Sequence, residues 1–176
     1  AAMSIVGRCC MTIFSIGIGI GQGFQPVAGF NYGAGKYSRV KKSCKITFVI
    51  SFAAIAVLSL SCIAASDYII NHFCDEKGVG AIGTFSLRMQ CMAIMLAPIT
   101  MSANMLFQST GHAARATVTA AMRSGICFIP LILILPQFLG LRGIQIAQPL
   151  ADLITAMISV PLIMDFFKRM PKEDLT

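Results

Sequence analysis

Apolar positions in this chain run in unbroken blocks. They neither alternate along strands nor keep to one stripe of a helix. Five blocks stand out, at about residues 3–24, 46–65, 81–108, 113–138 and 143–167. No charge occurs from Cys9 through Gly35, from Met89 to Gly111 or from Ser124 to Leu141, and the last block holds one charge deep in its interior, Asp152. An apolar block of about 20 residues is what a helix needs to cross a hydrocarbon layer roughly 30 Å thick. Barrel strands would be about ten residues long with strict alternation, and that alternation is absent. The pattern therefore predicts an all-α, polytopic transmembrane helix bundle with five spans.

Composition agrees. Apolar residues make up 56% of the 176 positions and charged residues only 12%, about half of what a soluble domain carries. The net charge of +7 follows topology. Lys36, Arg39, Lys41, Lys42 and Lys45 lie between blocks one and two, Arg115 between three and four, and Lys168, Arg169 and Lys172 after five. These nine fall on one side; Lys77 and Arg142 alone fall on the other. The positive-inside rule then puts the 36–45 segment and the C-terminus in the cytoplasm and the N-terminus outside. Attraction to the anionic headgroups of the lipid bilayer accounts for the basic cluster better than nucleic acid, because base-stacking aromatics are not interleaved with it. No charged region precedes the first apolar block, so no secretory signal is read, and the chain is expected to be a segment of a longer protein.

Seven cysteines are scattered in apolar surroundings without C-x-x-C spacing. They read as packing residues rather than a disulfide framework or metal site. His72, Cys74, Asp75 and Glu76 can be drawn together as ligands, but their spacing does not fit a known site. No nucleophile–base pair or His/Glu cluster points to catalysis. No cofactor, metal or catalytic residue is assigned.

Three groups carry candidate function. Gly17, Gly19, Gly21 and Gly23 offer small residues every four positions, which lets membrane helices approach closely. Gln25 and Pro26 follow, then Asn31 and Gly33, and the stretch reads as a loosened helix exit or hinge. Prolines at 98, 130, 136, 149 and 161 interrupt later helices, a pattern common where helices bend or build midplane sites. Block three is rich in methionine, including Met89 and Met92, and adds Gln90, Asn104 and Gln108 at spacings that share one helical face. These five form a candidate substrate pathway, although close helix packing also explains the methionines. Asp152 in mid-membrane is costly without a partner. By depth along the helices, Arg88 is the slightly preferred partner and Arg123 its rival, and the three form an expected buried charge network.

The run from Gln25-Pro26 through Gly29-Phe30-Asn31-Tyr32-Gly33-Ala34 into basic residues resembles a signature of the multidrug and toxic compound extrusion (MATE) transporters. Phe107-Gln108-Ser109-Thr110-Gly111 resembles the end of that family's tenth helix. Arg123 to Pro130 with Leu131 to Pro136 resembles its eleventh, and Gly140 to Gly143 with Ala147 to Asp152 the turn into its twelfth. Four motifs in register cover essentially the whole chain. The resemblance implies helices eight to twelve of a twelve-helix protein, so five of the six helices of its C-terminal lobe, with the N-terminal lobe and seventh helix as missing partners. It implies an antiporter in the bacterial inner membrane that exports small organic cations, coupled to sodium or protons. Carboxylates that some members carry on the tenth helix have no counterpart between Ala81 and Gln108, so no coupling site is transferred. A lipid-linked saccharide flippase of the same superfamily is the alternative function.

Overall fold

A computed structural model describes residues 2–73, 77–171 and 174. The chain is helical almost throughout: α1 Ala2–Gly33, α2 Tyr37–Ala64, α3 Ser66–Phe73, α4 Lys77–Ile94, α5 Ala97–Ser109, α6 Ala113–Ala121, a π turn Met122–Ile126, α7 Phe128–Leu139 and α8 Leu141–Arg169. Among the described residues, four helical stretches are long and apolar enough to cross a membrane, and α4 with α5, bent by 45°, is a fifth candidate when the pair is counted as one span. The all-α, five-span fold follows.

The boundaries differ from expectation in ways local chemistry explains. The first span continues nine residues past Phe24, through Pro26, to Gly33. Proline removes one donor but does not stop a helix whose next turn can still close. The exit lies instead at Gly35, whose φ is +69°. There Lys36 N–H donates to the Asn31 carbonyl at 2.8 Å, the closing bond of a Schellman motif that calls for a left-handed residue. The α5–α6 turn repeats it, with Gly111 at φ +78° and His112 N–H donating to Phe107 O at 2.9 Å. Arg39, Lys41, Lys42 and Lys45 accordingly lie on the first turns of α2 rather than in a loop.

Block three is two helices. Leu96 N–H bonds only three residues back, to Ala93 O at 3.0 Å, and Pro98, near the start of α5, has no N–H with which to continue the α4 ladder. Pro130 acts similarly in the fourth span, where its missing donor frees the Ile126 carbonyl just after the π turn. That turn is closed by Cys127 N–H to Met122 O at 3.0 Å. The amphipathic α3 between spans two and three was not foreseen.

Two cores fill the bundle. One, away from the basic end, gathers Val6, Ile13, Ile55, Ile70, Leu87, Cys91 and Met101. The other, at the basic end, gathers Phe24, Val40, Leu106, Phe107, Phe166 and Met170. Helix α1 is the central post of both. Gly17 and Gly21 are the buried half of its glycine ladder: a Cβ on Gly17 would stand 2.8 Å from Ile55 Cδ1, and one on Gly21 would collide with the Met105 sulfur. Gly19 and Gly23 face open space. The described cysteines are free thiols, and Cys10, Cys44 and Cys91 are buried; Cys74 lies outside the described residues.

Candidate functional site

A groove runs between α1, α5 and the α6–π segment. Its middle is a cavity of about 200 Å³ walled by Phe14 and Ile18 from α1, Thr100, Met101, Asn104 and Met105 from α5, and Thr119, Arg123 and Ser124 from the fourth span. Toward the N-terminus of α1 it continues into a hollow of about 420 Å³ that shares Phe14, Arg123 and Ser124 and adds Met11, Gln90 and Gln148. Toward the basic end it opens into another of about 630 Å³ with Gln108, Ala113 and Thr117.

Arg123 stands where the first two chambers meet, beside Ser124, which lines all three. Its Nε donates to Asp152 Oδ1 at 2.8 Å, Gln148 Nε2 donates to the same oxygen at 3.1 Å, and its guanidinium lies 4.0 Å over the Phe14 ring. Asp152 is only 4% exposed while the arginine side chain is 25% exposed. The pair is thus buried on the α8 side and opens to the groove on the other. Asp152 Oδ2 makes no hydrogen bond. Arg123 is the second residue of the π turn Met122–Ile126.

The expectation that Arg88 is the preferred partner of Asp152 is corrected. Arg88 bonds Asp67 Oδ2 at 2.7 Å and Ser66 Oγ at 2.8 Å, both on α3. Depth counted along separate helices could not anticipate α3, a nearer source of a carboxylate. The expected network of three is instead two separate pairs, Arg123 with Asp152 and Arg88 with Asp67.

The polar stripe of block three is also divided. The 45° bend sends Gln90 to the hollow near the start of α1 and leaves Asn104 and Gln108 on α5. Those two take part in a relay between helices. Gln25 Nε2 donates to Gln108 Oε1 at 3.0 Å, Gln108 Nε2 donates to Asn104 Oδ1, and Asn104 Nδ2 donates to the Ala116 carbonyl at 3.0 Å. Met89 and Met92 line none of the three chambers, and Met92 is exposed; Met101 and Met105 supply the thioether wall instead. Asn31 turns back on Val27 O at 2.8 Å, and Gly33 ends α1 with nothing near it. Of the residues considered as metal ligands, Cys74, Asp75 and Glu76 lie outside the described residues, and among the described residues no group of three or more ligand-type side chains converges.

At the basic end Asp174 accepts from Ser38 N–H at 2.8 Å and from Ser38 Oγ. The tail thereby caps the start of α2, whose own N-cap Lys36 makes no side-chain bond. The Ser38 hydroxyl, and then its backbone N–H, hold the Asp174 carboxyl below the ordinary range, against a small opposing effect of desolvation.

A bundle of spanning helices around an amphipathic groove, with a buried ion pair at its centre, is the architecture of a membrane transporter. The MatE family model matches residues 1–134, and the chain belongs to this family of multidrug and toxic compound extrusion transporters. It is similar to the multidrug export protein MepA of Staphylococcus saprophyticus, 23% identical over 146 residues, which are 83% of this chain and 32% of the relative. A MepA from Staphylococcus aureus is 24% identical over the same length. A crystal structure of MATE in complex with MaL6 superposes with a TM-score of 0.89 at 16% identity, over 98% of this chain and 39% of that one. The MATE multidrug transporter DinF-BH, solved as a complex, superposes at 0.77 and 29% identity, over 93% and 36%. The chain thus spans about a third of the curated relatives' length.

Proposed function

We propose that this chain forms five helices of the C-terminal lobe of a secondary antiporter that exports drug-like organic cations, driven by inward sodium or protons. It would work together with an N-terminal lobe and a seventh helix and sit in a bacterial inner membrane, with the basic end cytoplasmic. The observation that carries the reading is the continuous groove from Met11 to Gln108. Its walls are apolar and thioether-rich, with amide groups at intervals, which suits flat amphipathic molecules of varied shape. Its one guanidinium does not repel a cation strongly, because Asp152 balances it at 2.8 Å. The same pairing disfavours the flippase alternative, since one guanidinium balanced by one carboxylate offers a pyrophosphate no excess positive charge. The MepA relatives are named as multidrug exporters, and DinF-BH is named as a multidrug transporter.

We assign Met101, Met105 and Phe14 to the substrate pathway in addition to Gln90, Asn104 and Gln108. The test is efflux of a fluorescent lipophilic cation from cells or vesicles carrying the protein expressed from its complete reading frame. Thr100→Trp, which fills the central cavity, should abolish efflux at normal membrane abundance, whereas Met92→Trp, outside the groove, should not. Equal efflux from both variants would remove the groove from the pathway.

A further inference from the structure

A second, smaller cavity lies at the basic end, apart from the groove. It has a volume of about 90 Å³ and is walled by Tyr32 at the end of α1, His112 in the α5–α6 turn, Arg115 on α6, and Phe166, Arg169 and Met170 at the end of α8. About three waters would fill it, which is room for one phosphate group. Asp165 divides its two oxygens between the arginines, taking Arg115 Nη2 at 3.1 Å and Arg169 Nε at 2.8 Å. One carboxylate against two guanidiniums leaves a net positive charge, and each guanidinium keeps further N–H donors free of Asp165. His112 Nδ1 lies 3.0 Å from the Thr110 carbonyl. Thr110 Oγ1 lies 3.2 Å from the same nitrogen, so both of these contacts use Nδ1. Phe166 and Met170 are buried and give the cavity an apolar floor, while Arg169 is largely exposed at its rim.

Helix length sets the depth of this cavity. The 29 residues of α8 extend about 44 Å at 1.5 Å per residue, so a helix that crosses a core of about 30 Å must carry its ends into the headgroup layer. Arg169 is its last residue. Lys168 and the basic first turns of α2 place the cavity within the most positive part of the molecule, while Asp174, the other acid described nearby, is held by Ser38.

We propose that this cavity binds the phosphate of an anionic phospholipid, with Arg115 and Arg169 as its donors and Phe166 and Met170 as its apolar wall. A zwitterionic headgroup is disfavoured because its ammonium would meet the same positive field. The site requires neither the groove nor transport, so its test is independent of the export reading.

Protein from the complete reading frame is purified in mild detergent with mixed phosphatidylglycerol and phosphatidylcholine, and the retained lipid is read by native mass spectrometry. Phosphatidylglycerol should be retained selectively. Arg115→Gln and Arg169→Gln should each weaken retention about fivefold, Lys42→Gln on α2 should leave it intact, and Asp165→Asn should raise it. The last variant guards against misfolding, because a merely structural Asp165 gives a loss rather than a gain. Absence of selectivity, equal loss in Lys42→Gln, or displacement by millimolar inorganic phosphate would each overturn the lipid assignment.

Discussion

Replacing Asp152 by Asn removes one charge from the centre of the groove while keeping the size of the side chain. Removing one partner of a fully buried pair costs about 3–5 kcal/mol. Two features lower that here. Arg123 is a quarter exposed and can recover some solvation from the groove, and the Asn carbonyl still accepts from Arg123 Nε and Gln148. What is lost is mainly the charge assistance of a hydrogen bond, worth about 1.5–3 kcal/mol. We expect a destabilisation of about 2 kcal/mol, read as a lower midpoint in denaturing-detergent titrations of the protein from the complete reading frame. Arg123→Gln should cost a similar amount. The double variant should recover most of the loss, because neither charge is then stranded. On the proposed export reading, in which the aspartate serves to hold Arg123, ion-coupled efflux by Asp152→Asn should persist. Additive single losses would refute the pairing. Normal stability with uncoupled transport would show that Asp152, whose Oδ2 has no hydrogen bond, is itself the ion carrier.

Other outcomes follow from the same geometry. Gly143→Ala should destabilise strongly, by about 3 kcal/mol or more, because its Cβ would meet rigid backbone at Leu135 and Pro136 N at 2.7 Å; Gly19→Ala, which meets nothing, should be neutral or stabilise by up to about 1 kcal/mol, and thermal unfolding compares them. The Asp174 contact should be present above the ordinary carboxylate range and be lost as pH falls through the depressed value. Limited proteolysis of the tail should therefore accelerate only at acid pH, and at a higher pH in Ser38→Ala. Pro26→Ala, which restores an α1 donor, should slow efflux at unchanged membrane abundance, and wild-type rates would reduce Pro26 to a passive residue. In a cysteine-free background, Lys42→Cys should label from the cytoplasm and Arg142→Cys from outside; labelling of both from one side would refute the five-span topology.

The spans were legible because a bilayer imposes one length and one polarity on every helix that crosses it, and neither depends on tertiary contacts. Boundaries were less so. The end of α1 is set by Gly35, whose left-handed backbone closes the helix, whereas the sequence drew attention to Pro26, which the helix tolerates. The bend at Met95–Leu96 was foreshadowed by Pro98, but its consequence, the separation of Gln90 from Asn104 and Gln108, was invisible to a count that assumed one straight helix.

The charge pairs show the limit most clearly. Arg88 and Arg123 stood at nearly equal depths relative to Asp152, so rise per residue could not choose between them. Two local features decided it. Helix α3 brings Asp67 and Ser66 to Arg88, and Arg123, inside a π turn marked in sequence only by Gly125 and Pro130, meets Asp152 and the Phe14 ring. Azimuth around a helix, unlike depth along it, depends on every irregularity upstream, and in this bundle the irregularities lie beside the groove. Residues that bend or rewind these helices therefore also decide which polar groups face the pathway.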